Sequence, residues 1–215
     1  MRIRNRYASA GMKLLVGLCA LLGILIQCGI FIGSPDFSSL RYYTLLSNLL
    51  CFLYFLPAGV CTLRGNDRIF PAFKGALIMG ITVTGIVFHV LLSGRFSMGG
   101  TFSLSNFLLH TAVPVLSVLD WLLFDEKGKY TVRSPFMWVL LPDIYFVLIV
   151  IYAYTVGKPF MGGSRFPYFF IDFDLLSVGA VLLYVAALHV FFIALGFVFV
   201  GIDRLLARKK RAGAA

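Results

Sequence analysis

Six long apolar runs constrain this chain more than any other feature of its sequence. They lie at about residues 12–32, 42–63, 74–93, 103–124, 136–154 and 176–202, separated by short gaps rich in Gly, Pro and charge. Each is close to or above the roughly 20 residues that a helix rising 1.5 Å per residue needs to cross about 30 Å of hydrocarbon. In lipid every backbone N–H and C=O must be satisfied within the segment, so such runs become helices. The expected fold class is therefore all-α, a polytopic membrane bundle of six transmembrane helices forming a single domain over residues 1–215. With 60% hydrophobic and 13% charged residues, the chain has little left from which to build a water-soluble unit.

The net charge of +10 would point toward nucleic acid in a soluble protein. Here the basic residues sit in short gaps between spans, where they act as a topology signal, and no nucleic-acid partner is expected. Of the 19 Lys and Arg residues, 15 fall on one side: the N-terminal end, the Arg64–Lys74 and Lys127–Arg133 gaps, and the segment after Ile202. Arg41, Arg95, Lys158 and Arg165 fall on the other. This bias places both termini in the cytoplasm and the loops around Ser34, Gly94 and Gly157 outside. Arg2, Arg4 and Arg6 precede the first run without a small-residue cleavage site, so that run is read as a helix and not a signal peptide. Cys19, Cys28, Cys51 and Cys61 lie within apolar runs without a CxxC pair and read as small hydrophobes. Trp121, Trp138, Tyr42, Tyr43 and Tyr168 fall near predicted interfaces, as aromatic belts do.

Polar groups inside hydrocarbon are costly and usually face the bundle interior, so they mark candidate functional positions. In the second run Thr44, Ser47, Asn48 and Cys51 share one helical face. In the fourth, Ser103, Asn106, His110, Ser117 and Asp120 fall within about 100° of one another. The third carries Thr82, Gly85, His89 and Ser93, with Gly85 allowing close approach of a neighbour. Thr44 lies about 3 Å, His89 about 6 Å and His110 about 10 Å below the outer ends of their helices, depths that allow one shared outer-leaflet cavity. Pro114 has no N–H for the His110 carbonyl and is expected to kink the helix there. Asp120 and Asp143 are expected to pair with snorkelling Lys127, Lys129 or Arg133. His189 shares no polar stripe.

A threonine or serine hydroxyl becomes a useful nucleophile when a base within hydrogen-bonding reach takes its proton, and neutral His is suited to this near pH 7. Thr44 and His110 form the candidate catalytic pair, with Ser47 as reserve nucleophile. Ser47, Asn48, His89 and Asn106 are candidate binding residues. Asn48, Asn106 or a backbone carbonyl would orient the imidazole, and an Asn amide would stabilise an oxyanion. No metal site is expected.

The segments YYTLLSNLL, NFLLHTAVPVLSVLDWLLF and FPYFFID resemble the Pr6Pr family of bacterial membrane proteins over nearly the whole chain. That family is similar to the androgen-induced membrane proteins, six-helix hydrolases of fatty acid esters of hydroxy fatty acids that use an intramembrane threonine and histidine. The resemblance implies Thr44 and His110 as the counterparts, and a bacterial inner membrane as the location. FPYFFID departs from the family pattern, in which a second proline commonly follows the tyrosine.

The leading expectation is thus an intramembrane lipid-ester hydrolase that takes a lipid-like ester from the membrane lipids around it and needs no cofactor. Two other classes use the same residues. His89 and His110 could be axial ligands of a haem, which would colour the purified protein. Alternatively the polar stripes only hold helices together in a small transporter or an interaction protein.

Overall fold

The structure, a computed structural model, describes residues 3–66, 70–93, 103–160 and 162–212. Its helices long and apolar enough to cross a membrane number six: α1 (Arg6–Gln27), α2 (Tyr43–Leu63), α3 (Pro71–Leu92), α4 (Leu104–Phe124), α5 (Ser134–Thr155) and α6, whose apolar part is Val178–Arg208. No strand occurs among the described residues. The chain is a multi-pass membrane bundle. Ile3 N donates to the Leu123 carbonyl at 2.8 Å, and Asp203 Oδ2 accepts from Gly128 N and Tyr130 N, each at 2.9 Å. These bonds draw the N-terminal segment, the α4–α5 loop and the end of α6 to one side, called here the terminal side; the opposite side is distal. The expected loop around Gly94, with Arg95, lies outside the described residues, as do Arg2 and Arg68.

Local chemistry explains where the helices differ from the apolar runs. Helix α1 starts at Arg6 and not near residue 12, because the Asn5 side chain caps it by accepting from Tyr7 N at 2.9 Å and Ala8 N at 3.1 Å. It ends before Gly29, whose φ of 69° is the left-handed conformation that stops a helix. Pro71, at the first helical position of α3, gives up an N–H that would have no partner there. The last helix continues past its apolar run to Ala212. Helices α1 and α2 meet at Gly17 and Gly59: a Cβ at Gly17 would stand 2.9 Å from Leu56 N, and one at Gly59 2.8 Å from Leu14. Small residues at both positions let the backbones close up, the usual packing device where lipid supplies no hydrophobic drive.

The terminal half of the interior holds charge. Lys74 Nζ lies 2.5 Å from Asp120 Oδ2 and 2.6 Å from Asp125 Oδ1, and Lys13 Nζ lies 3.1 Å from Asp120 Oδ1 and 2.8 Å from Ser9 Oγ. Lys74 and Asp120 are fully buried. Asp120 therefore pairs across α1 and α3, not with the loop lysines as its position had suggested. Lys127 is instead spent on the Trp121 carbonyl at 2.5 Å, and Lys129 on Glu126 at 3.0 Å. Trp121 and Trp138 are also not belt residues but core, 1% and 2% exposed; Trp138 donates to the Ala72 carbonyl at 3.0 Å and packs on Gly75. A buried indole whose N–H finds an acceptor loses nothing by leaving the interface.

On the distal side Arg41 donates to the Lys158 carbonyl at 2.9 Å, the Pro159 carbonyl at 3.0 Å and Tyr152 Oη at 2.9 Å, with its guanidinium 4.3 Å from the Phe160 ring. Tyr42, Phe160, Tyr168 and Phe170 pack there edge-on and stacked. The loop between α5 and α6 is thereby folded down over the distal end of α2. Helix α6 packs closely against Ser134–Trp138 at one end and Phe169–Ile171 at the other. Between these ends, residues of α5 and α6 line a cavity.

Candidate functional site

Four consecutive polar positions of α2 point inward together, as their spacing predicts: Thr44, Ser47, Asn48 and Cys51 are all buried. Thr44 sits at the start of the helix and faces α4. Its Oγ1 lies 3.3 Å from Nε2 of His110. The imidazole's other nitrogen, Nδ1, lies 3.2 Å from the Asn106 carbonyl oxygen. A carbonyl only accepts, so the proton of a neutral ring belongs on Nδ1 and the lone pair of Nε2 is left for the threonine hydroxyl. This is the tautomer a general base needs. Asn106 thus orients His110 through its backbone, and no carboxylate takes part.

Helix α4 departs from regular α-helical winding just before Pro114. Leu108–Ala112 is wound as a π turn, directly before Val113–Pro114. Helix α3 has a matching π turn at Phe88–Leu92. Such turns rotate side chains away from their ordinary α-helical directions and leave carbonyls for other partners. The α3 turn brings the Phe88 ring flat onto the His110 ring, with centroids 3.7 Å apart and planes 14° from parallel. One face of the base is thereby sealed by an aromatic ring that the sequence pattern had not singled out.

His89 is not part of this pair. It is exposed, its Nε2 lies 3.0 Å from Thr111 Oγ1, and the Phe88 ring packs on both imidazoles, 5.3 Å from the one and 3.7 Å from the other. The two Nε2 atoms face different threonines, Thr111 and Thr44, an arrangement that does not fit axial ligation of one haem. No group of three His, Cys, Asp or Glu among the described residues is placed to hold a metal ion.

The remaining candidates act on backbone. Asn48 Nδ2 donates to the Thr44 carbonyl at 2.8 Å and the Leu109 carbonyl at 3.2 Å, clamping α2 to the π turn of α4. Its amide N–H groups are therefore occupied and do not face an oxyanion. Its buried Oδ1 has no partner among the described residues. Ser47 Oγ donates to the Thr44 carbonyl at 3.1 Å and lies 3.1 Å from Thr84 Oγ1. Ser47 does not meet a histidine. On α3 it is Thr84, not Thr82, that joins the polar cluster, while Thr82 donates to the Ile78 carbonyl at 2.7 Å.

Thr44 lines a cavity of about 90 Å³ together with Thr84, Tyr168, Asp143 and His189. The other lining residues are mostly apolar, among them Val87, Phe146, Ile171 and Leu188. At about 10–15 Å³ for a water-sized sphere, the space holds several waters or a stretch of hydrocarbon chain. Tyr168 comes from the α5–α6 loop. Burial raises its phenol to about 12, and hydrogen bonding with Thr44 opposes the rise. It stays a neutral hydroxyl beside the nucleophile candidate. That the FPYFFID loop folds back to line one cavity with Thr44 is a tertiary fact no local spacing carries. Asp143 likewise differs from expectation: it pairs with His189, at 2.6 Å between Nε2 and Oδ1, and not with a loop lysine.

Comparison of the chain with protein-family models, with curated proteins and with solved structures gives no match.

Proposed function

We propose that this protein is an intramembrane hydrolase of lipid esters, with Thr44 as nucleophile and His110 as base. The observation that carries the reading is the Thr44 Oγ1 to His110 Nε2 contact of 3.3 Å beside a mostly apolar cavity that Thr44 lines together with residues of α3, α5 and α6. An acyl chain enters sideways from the bilayer and brings its ester carbonyl to Thr44. His110 Nε2 takes the hydroxyl proton as Oγ1 attacks, then returns it to the leaving alkoxide, giving an acyl-threonine and a free alcohol. Water in the cavity, deprotonated by the same Nε2, attacks the acyl-threonine; the bond between the acyl carbon and Thr44 Oγ1 breaks, Oγ1 takes the proton back from Nε2, and the acid leaves. The Tyr168 hydroxyl, which lines the same cavity as Thr44, is the donor we assign to the oxyanion. The resemblance to the Pr6Pr family, itself similar to the androgen-induced threonine hydrolases, supports this pair.

The same reading places both termini in the cytoplasm and the Thr44 site toward the outer leaflet of a bacterial inner membrane. The terminal side gathers the basic excess, and Lys13 and Lys74, although paired inside, do not alter its direction.

Activity-based labelling decides between hydrolase and purely structural readings. The purified protein in detergent is treated with a lipid-tailed fluorophosphonate and the modified peptide is mapped. Modification of Thr44, lost in His110→Ala, is the expected result. Absence of labelling, together with no turnover of any long-chain ester, would favour a transporter or interaction protein in which these polar contacts only join helices.

A further inference from the structure

The Asp143–His189 pair lies where lipid chains lie. Asp143 is nine residues into α5, roughly 13 Å from its terminal-side end, and His189 is eleven residues into α6, roughly 16 Å from its distal end. Both depths fall near the middle of a hydrocarbon layer of about 30 Å. Neither group is sealed in the core: their side chains are 34% and 35% exposed, and both line the cavity. Charged or strongly polar groups at that depth are costly and usually serve a ligand or a pathway.

The hydrogen bonding leaves one atom of the pair available. His189 Nδ1 lies 2.8 Å from the Val185 carbonyl and its Nε2 lies 2.6 Å from Asp143 Oδ1. Both ring nitrogens therefore face acceptors, and the ring has nothing to offer a ligand. Wherever the proton between Nε2 and Oδ1 resides, Asp143 Oδ2 has no partner among the described residues, and Asp143 lines the cavity that holds Thr44. The cavity lining is thus mostly apolar, with the hydroxyls of Thr44, Thr84 and Tyr168 and one carboxylate acceptor, Asp143, among it. An unbranched saturated chain would bury that acceptor against methylenes and leave it unsatisfied. A chain bearing a hydroxyl at that level would satisfy it.

We propose that Asp143, held by His189, is a specificity site for a hydroxyl group carried partway along the hydrocarbon chain of the bound lipid. The proposal rests on the hydrolase reading for the word substrate, since it names the class of ester that Thr44 would meet. Binding at Asp143 itself needs no turnover. No bond is made or broken at Asp143; it only accepts a hydrogen bond.

The test is a binding comparison in nanodiscs with Thr44→Ala protein, which cannot turn the probe over. The probes are methyl stearate and its mid-chain hydroxylated analogue. A hydrogen bond to a carboxylate predicts that the hydroxylated ester binds about tenfold more tightly. Asp143→Leu and His189→Leu combined on the Thr44→Ala background should erase the preference while methyl stearate still binds. Removing both partners together leaves no orphaned charge, so this variant keeps its fold where a single removal would put it at risk. Equal binding of the two probes, or a preference that survives the Asp143/His189 replacement, overturns the proposal. If the preference appears and is erased, yet protein with Thr44 intact cleaves neither ester, the site stands as a binding site and the hydrolase reading alone falls.

Discussion

Gly85 of α3 lies against the carbonyl of His110. A Cβ built on it would stand 2.8 Å from that oxygen and 3.2 Å from Cγ of Pro114. The three residues form one device: Pro114 withholds the N–H that the His110 carbonyl would ordinarily accept, the π turn displaces that carbonyl, and only a glycine opposite leaves room for it. The position of the candidate base thus depends on a residue of another helix that has no side chain at all.

Gly85→Ala should therefore destabilise the bundle by about 1–3 kcal/mol, as overpacking does, despite the better helix propensity of alanine. Gly11→Ala, with nothing within 4 Å of its new methyl, should leave stability unchanged or slightly raised. Thermal unfolding of the two variants in one detergent checks this. Equal behaviour of the two would show that α3 and α4 are not this close at Gly85.

Asp120 carries the interior charge network, and its removal should be far more damaging than loss of a surface ion pair. Asp120→Ala leaves Lys13 and Lys74 with only Asp125 between them in a dry interior. Breaking a buried pair in this way costs about 3–5 kcal/mol, against about 1 kcal/mol or less for an exposed pair such as Lys129–Glu126. The measurement is detergent-resistant folded yield of Asp120→Ala beside Glu126→Ala. A mild Asp120→Ala would mean that the lysines reach water.

How much of this was legible in the sequence follows from whether a feature is local. The inward face of Thr44, Ser47, Asn48 and Cys51 is a matter of helical spacing, and so was readable; the pairing of Thr44 with His110 needed only two such faces at similar depth. Asp143 and His189 carry no such mark. They sit alone on otherwise apolar helices, and their partnership depends on how α5 and α6 cross. Trp121 and Trp138 lie at positions that suit an interfacial belt, and only the presence of the Ala72 carbonyl and Gly75 explains why Trp138 is interior. Phe88 and Tyr168 close the site through tertiary contacts alone.

The distal loop carries an acid-sensitive clasp. Arg165 meets Asp174 with two bonds of 2.6 Å, and this holds the Asp174 carboxyl below its ordinary value of 3.8. A depressed folded-state value means that the contact contributes stability above the unfolded carboxylate's value and loses it as pH falls through the lower, folded one. Protease sensitivity of the loop at neutral pH should therefore rise in Asp174→Asn, and the difference from wild type should vanish in strong acid. Both groups are largely in water, so the global stability should barely move. A difference that persists unchanged into strong acid would show that the side-chain amide, and not the lost charge, opens the loop.

Orientation can be read with single cysteines in a background lacking Cys19, Cys28, Cys51 and Cys61. Gly162 belongs to the distal loop, and Lys129 to the terminal side. Because the sequence assigns 15 of the 19 basic residues to the N-terminal end, the gaps joining α2 to α3 and α4 to α5, and the end of the chain, an impermeant maleimide should label Gly162→Cys in intact cells and spare Lys129→Cys until the membrane is opened. The reverse pattern would put the Thr44 cavity toward the cytoplasmic leaflet.

The sharpest expectation concerns Thr44 and His110 together. Residues that act as one catalytic unit are strongly non-additive, so Thr44→Ala, His110→Ala and the double variant should all reduce ester hydrolysis to nearly the same residual rate. Tyr168→Phe is different in kind. It keeps nucleophile and base, and if its hydroxyl serves the oxyanion it should lower kcat by about 10²–10³ with little change in KM. Folding must be followed in parallel, because loss of an interhelical hydrogen bond in a membrane bundle costs about 0.6–2 kcal/mol and can lower yield without touching chemistry. His110→Ala also removes the ring on which Phe88 stacks, so His110→Gln, which retains a polar group of similar reach, serves as its control. Folded variants of Thr44 and His110 that keep wild-type turnover would show that the 3.3 Å contact between them is a helix clamp like that of Asn48 and not a catalytic pair.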